Sequence, residues 1–103
     1  MMPGFVAIYH WRLKPEMEDE FISAWTEVTV HYLKHGSLGS RLHKCGDGTW
    51  YAYAQWPSSH AREMAVGSGN LGDARSRMKQ AILLEFDDIE LNPVKDYLVL
   101  PPQ

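Results

Sequence analysis

The chain has 103 residues, 45% hydrophobic and 22% charged, with a formal net charge of -3 and one cysteine. That length suits a single domain spanning 1–103, which buries about two thirds of its unfolded surface and needs neither metal nor disulfide staples. Scattered Lys and Arg leave no footprint for nucleic acid, and no apolar run approaches the ~20 residues of a membrane span. A lone Cys45, with no leader-like pattern at the start, points to a reducing cytoplasm.

Residues 5–13 read as a strand with one wholly apolar parity (Phe5, Ala7, Tyr9, Trp11, Leu13) and one carrying His10 and Arg12. Both faces are mostly apolar, so this strand belongs at the centre of a sheet. Lys14-Pro15-Glu16 ends it, and Pro15 suits a helix start. Phe21, Trp25, Val28 and Tyr32 then recur at helical spacing behind an acidic first turn, and Gly36 is the natural stop.

The strongest local signal lies between Leu38 and Trp56, where an Asp47-Gly48 pair separates two strand-like runs. With a two-residue loop, Cys45 pairs with Trp50, His43 with Ala52, Arg41 with Ala54 and Gly39 with Trp56 on one face. Lys44 with Tyr51, Leu42 with Tyr53 and Ser40 with Gln55 then share the other, and a bulge at Gly46 would break this register. Pro57-Ser58-Ser59 offers an N-cap for a short helix carrying Ala61, Met64 and Ala65, and residues 67–72 form a flexible break. Asp73 caps a third helix with Ala74, Met78, Ala81, Ile82 and, at its far end, Leu84. A closing strand is expected within Ile89 to Leu100, starting at Val94 or Tyr97 and bounded by Pro93 and Pro101. The order defines an α+β chain of the ferredoxin-like split βαβ kind: a four-stranded antiparallel sheet with helices on one face. The other face is left open and aromatic, which argues for a partner.

Several motifs are weak. His31 and His35 have the i, i+4 spacing of a metal pair but no third ligand, and the C-terminal helix dipole accounts for them equally well. Residues 67–72 match G-x-G-x-x-G but follow a helix, whereas the dinucleotide fingerprint needs a preceding strand. Cys45 near His43 lacks an oxyanion hole and shelter from water. What remains is a polar-aromatic set on the sheet: His10 and Arg12, Arg41 and His43, Trp50, Tyr51, Tyr53 and Trp56. Aromatic walls with a few His and Arg suit a flat, largely apolar ligand with oxygen atoms. The same residues would also serve as core and dimer contacts.

The chain resembles the antibiotic biosynthesis monooxygenase family of dimeric α+β barrels. The resemblance is carried by Leu13-Lys14-Pro15, the acidic stretch into a helix with Phe21 and Trp25, the segment from Gly36 to His43, and Tyr53-Ala54-Gln55-Trp56 followed by Pro57-Ser58. It implies a homodimer in which two four-stranded sheets pack face to face with helices outside, and a pocket in each subunit. Trp56 falls where many members place a pocket Trp. The Asn of the haem-degrading branch is absent, since Ile8, Tyr9 and His10 stand nearby, and no His occupies residues 61–72, so haem degradation is disfavoured.

The expectation is a cofactor-independent monooxygenase acting on a small aromatic or quinol-like substrate, with molecular oxygen as co-substrate and no metal or cofactor. His10 serves as base, Arg12 or Arg41 stabilises the phenolate, and Trp56 with Tyr51 or Tyr53 stacks the ring, Trp25 completing the pocket. The alternative is a non-catalytic dimeric binding or structural module, with a lactone-type isomerase as a third reading.

Overall fold

Strand β1 (Phe5–Leu13) has a helix-facing parity in which Phe5, Ala7, Trp11 and Leu13 are buried, so it is held on both edges and covered on one side. The computed structural model describes residues 2–69 and 71–99. The other elements are a 3-10 turn (Pro15–Met17), α1 (Glu18–Leu33), β2 (Ser40–Lys44), β3 (Trp50–Trp56), α2 (Ser59–Val66), α3 (Ala74–Ala81), β4 (Ile82–Glu85) and β5 (Ile89–Leu91). The antiparallel sheet runs β2-β3-β1-β4, with β5 also on β1.

β4 pairs with Trp11–Leu13 of β1 and β5 with Val6–Ile8, so the two lie end to end along one edge. The expected single fourth strand is therefore interrupted. His10 O accepts from Phe86 N at 3.0 Å, after which the register slips by one residue before Ile89 meets Ile8. The slip brings Asp88 to the helix-facing side, beside Glu85 and Glu90, as bulges commonly re-aim a side chain.

All three helices pack on the Trp11 face. Phe21 of α1 is fully buried and meets Trp11 edge-on at 5.1 Å. Arg77 of α3 bonds Glu20 and Glu27 of α1 as well as Asp73, which joins the two helices at the surface and holds the guanidinium pKa above its ordinary value. Ser58 Oγ accepts from Ala61 N at 3.0 Å, so within the expected Pro57-Ser58-Ser59 stretch it is Ser58 that caps α2. Asp73 occupies the cap position of α3, but its carboxylate turns to Arg77 rather than to the helix N–H groups.

Three expectations are corrected. The hairpin register is one residue off: Leu42 pairs with Ala52 and His43 with Tyr51. The loop has three residues, 46–48, with Gly48 at φ +88°, a type I turn closed by a left-handed residue. Asp47 Oδ1 stabilises it by accepting from Thr49 N (2.8 Å) and Thr49 Oγ1 (2.6 Å). Second, Ile82 and Leu84 belong to β4, because β1 offers Leu13 and Arg12 a free edge just where α3 ends. Third, the closing strand lies at residues 82–91, not beyond Val94. Once β5 fills the remaining length of β1, Pro93 and the residues after it find no part of that edge left to pair with. Leu100 lies outside the described residues.

The Thr49 bonds to Asp47 hold its carboxyl near a pKa of about 2, below the ordinary 3.8. A depressed carboxylate stabilises the fold above its unfolded value and ceases to as pH falls through the folded one. Asp47→Ala should therefore destabilise the hairpin at pH 6, and the difference from wild type should shrink between pH 4 and pH 2, read by urea unfolding at each pH.

Candidate functional site

Along the helix-facing side of β3, Trp50, Ala52, Ala54 and Trp56 alternate, two large rings flanking two small side chains. Ala52 packs with Trp11, Phe21 and Trp50, and the dip over Ala54 is roofed by the helices. This leaves a cavity of about 550 Å³, the size of a small-ligand site. β1 supplies Tyr9 and Trp11, α1 supplies Trp25, Val28 and Tyr32, and Met78 and Ile82 close the far wall. Its charged groups are Arg62 and Glu63 on α2, Arg75 and Lys79 on α3, Glu85 on β4, and Asp88.

Two guanidinium–phenol pairs stand out. Arg62 lies beside the Tyr9 phenol, binds Glu90 at 3.1 Å and stacks over Phe5 at 5.0 Å. Arg75 donates to Tyr32 Oη at 2.5 Å and to Val66 O at 3.1 Å. Burial pushes the Tyr9 phenol up, only partly offset by Arg62, so it stays protonated at neutral pH. For Arg62 itself burial disfavours the charge, yet Tyr9 and Glu90 more than compensate and its pKa is raised. Burial also raises the Asp88 carboxyl, helped by Glu85, Glu90 and Asp87 and opposed by Arg62.

Trp56 is only 2% exposed, its ring 5.7 Å from Tyr32, and its buried indole Nε1 has no partner. An orphaned donor of this kind costs about 1–3 kcal/mol, which a ligand oxygen reaching it would relieve.

The polar-aromatic set read from sequence is divided between the two sheet faces. Trp56 and Trp25 line the cavity. His10, Arg12, Arg41, Tyr51 and Tyr53 have the opposite parity and stand on the open face. There His10 is sandwiched between Tyr51 (3.9 Å) and Phe86 (4.1 Å), with Nε2 buried and unpartnered. His31 and His35 stack at 4.3 Å outside the cavity, His31 Nε2 meeting Ser68 O at 3.1 Å and His35 Nδ1 meeting His31 O at 2.9 Å. No group of three His, Cys, Asp or Glu able to hold a metal occurs among the described residues.

Tyr9, Arg62, Arg75 and Asp88 escaped the sequence reading. Tyr9 and Tyr32 looked like core positions, and a guanidinium on a short helix carries no local mark of what it faces. Asp88 sits beyond a slip in register that no residue pattern announces.

The ferredoxin-like sheet, the broken second crossover helix and the cavity beneath it define a small α+β protein whose solved relatives share one architecture. A Chloroflexus aurantiacus J-10-fl protein assigned as an antibiotic biosynthesis monooxygenase matches 90% of this chain and 95% of its own at TM-score 0.76 and 17% identity. SnoaB, a cofactor-independent oxygenase from Streptomyces nogalater, matches 92% of this chain and 97% of its own at TM-score 0.78 and 10% identity. A conserved protein from Methanosarcina mazei Go1 matches 88% and 93% at TM-score 0.76 and 13% identity. No family model matches the sequence, and no curated protein matches it. The chain has the fold of the antibiotic biosynthesis monooxygenases. No helix among the described residues is long and apolar enough to cross a membrane.

Ser40 lines the cavity from β2, opposite Ala54. Filling it with Ser40→Phe should weaken binding of 1-naphthol at least tenfold without loss of fold, measured by quenching of tryptophan fluorescence.

Proposed function

We propose that this chain is a cofactor-independent monooxygenase that oxidises a small electron-rich phenol or quinol-like aromatic in the helix-covered cavity. The observation that carries this reading is the buried, unpaired Trp56 N–H in an aromatic cavity of ligand size. The description of SnoaB as a cofactor-independent oxygenase of the same fold supports it.

The chemistry asks little of the protein. A phenol must lose its proton, after which the phenolate can pass an electron to O₂; the radical pair then joins at a ring carbon. Loss of water leaves a quinone, so that one phenol and one O₂ give one quinone and one water. Trp25 and Trp56 hold the ring, and the surrounding apolar walls exclude competing water. The base role anticipated for His10 passes to Asp88, the cavity carboxylate whose raised pKa makes it a better proton acceptor.

Asp88→Asn should lower kcat/KM for oxygen uptake with 1,4-dihydroxynaphthalene by about 100-fold. In wild type the rate should fall as pH drops through the Asp88 pKa, above the ordinary 3.8, because the protonated carboxyl accepts no proton; in Asp88→Asn that limb should vanish. Binding without oxygen uptake would instead favour the binding-module reading.

The open sheet face supports a homodimer. Ile8, His10, Tyr51 and Tyr53 share it with Leu84, Ile89 and Leu91, the last three 43–50% exposed. Apolar surface of this extent favours burial against a second copy. Leu84→Glu with Ile89→Glu should convert a dimer to a folded monomer in sedimentation velocity; a wild-type monomer would refute the pairing. An exposed, free Cys45 suits a reducing cytoplasm.

A further inference from the structure

The two guanidinium–phenol pairs invite a reading beyond packing. A phenol has one hydrogen and two lone pairs, and all N–H groups of a guanidinium are donors. Arg75 donates to the Tyr32 oxygen and the Arg62 cation lies beside the Tyr9 oxygen, so each hydroxyl hydrogen is turned away from the cation. Both phenols line the same cavity, on different walls, β1 and α1. The Trp56 N–H, buried beside Tyr32, is a third donor without an acceptor.

We propose that Tyr9 and Tyr32, their oxygens held by Arg62 and Arg75, form a donor cradle that binds a phenolic ligand as its phenolate. Hydrogen bonds to an anion are shorter and stronger than those to a neutral oxygen, so donors of fixed direction favour the ionised ligand. The two arginines are held differently. Arg62 is balanced by Glu90, whereas the partners of Arg75 are the neutral Tyr32 hydroxyl and the Val66 carbonyl. The positive charge of Arg75 is therefore free to act on a ligand, with Lys79 on the same helix lining the same wall. Glu63, Glu85 and Asp88 face the cavity too and oppose an anion, which limits the effect to a modest one. Burial keeps Tyr9 protonated and hence a donor. Tyr9 and Tyr32 touch the ligand oxygen; Arg62 and Arg75 are positioning residues. The proton leaves the ligand for the Asp88 carboxylate or for water at the cavity mouth, and no redox step is involved. The inference rests on the cavity's being a phenol site, but not on its oxygenase chemistry.

The test is a spectroscopic titration of 4-nitrophenol, whose phenolate is read by absorbance, with saturating full-length protein. Bound to wild type, the probe should ionise about one unit below its free value. Tyr9→Phe and Tyr32→Phe, which keep the rings, should each return a third or more of that shift, and the double variant most of it, Arg75 and Trp56 accounting for the rest. Binding of 4-nitroanisole, which cannot ionise, should change less than twofold in the same variants. A probe that fails to bind, a wild-type midpoint at or above the free value, or a shift undiminished in the double variant would overturn the cradle. The wild-type midpoint needs no variant and stands even if a substitution impairs folding. Oxygen uptake with 1,4-dihydroxynaphthalene is followed in parallel. A shift without uptake supports the cradle and removes the oxygenase reading, whereas uptake without a shift does the reverse.

Discussion

The edge-on contact of Trp11 with Phe21 marks where the first strand and first helix are pinned together, and the remaining elements are placed by it. Because β1 alternates, fixing Trp11 against a helix commits Phe5, Ala7, Tyr9 and Leu13 to the same side. Pairing with β3 then aligns Trp50, Ala52, Ala54 and Trp56 on that side as well. The core and the cavity are two consequences of one parity. Where the facing side chains are large they interlock, as around Trp11, Phe21 and Trp50, and over Ala54 the helices bridge a gap.

The cavity depends on two irregularities in otherwise regular elements. The break between α2 and α3 bends the crossover, so that Arg62 and Arg75 approach from separate helices. The slip between β4 and β5 sets Asp88 and Glu90 on the covered side, where Glu90 anchors Arg62 and the Asp88 carboxylate has no hydrogen-bonded partner among the described residues. A fully regular fourth strand would keep the Glu85 parity, putting Asp87 and Ile89 on the covered side and Asp88 and Glu90 on the open one. The irregular edge thus supplies chemistry, while the regular strands supply support.

The open face is organised differently. Its aromatic and aliphatic groups stack along the sheet, as in the Tyr51–His10–Phe86 sandwich, and are incompletely covered within one chain. Beyond β5, Val94, Tyr97, Leu98 and Val99 are 75–90% exposed. Tyr97 and Leu98 share a shallow depression with Tyr53, so this apolar segment is continuous with the open face. Surface of this kind is expensive to leave in water, and a second copy is the simplest cover of matching shape.

Local rules carried much of the fold. The alternation of residues 5–13 specified a central strand, Pro15 and Gly36 bracketed the first helix, and Pro57-Ser58-Ser59 marked the start of the second. Asp47-Gly48 marked the hairpin, because such signals act over a few residues and need no distant partner. The Trp56 and Trp25 assignments to a cavity wall also came from sequence, through a family resemblance for Trp56. What sequence left undecided was which parity of β2 faces inward, since one extra loop residue reverses it, and where the last strand lies, since that depends on which edge of β1 is vacant. The separation of His10 from Trp56 was invisible for the same reason: both belong to apolar-rich strands, and only the assembled register shows that they face opposite sides. The convergence of Tyr9, Tyr32, Arg62, Arg75 and Asp88 is likewise a property of tertiary structure, because their elements are distant in the chain and meet only when the helices close over the sheet.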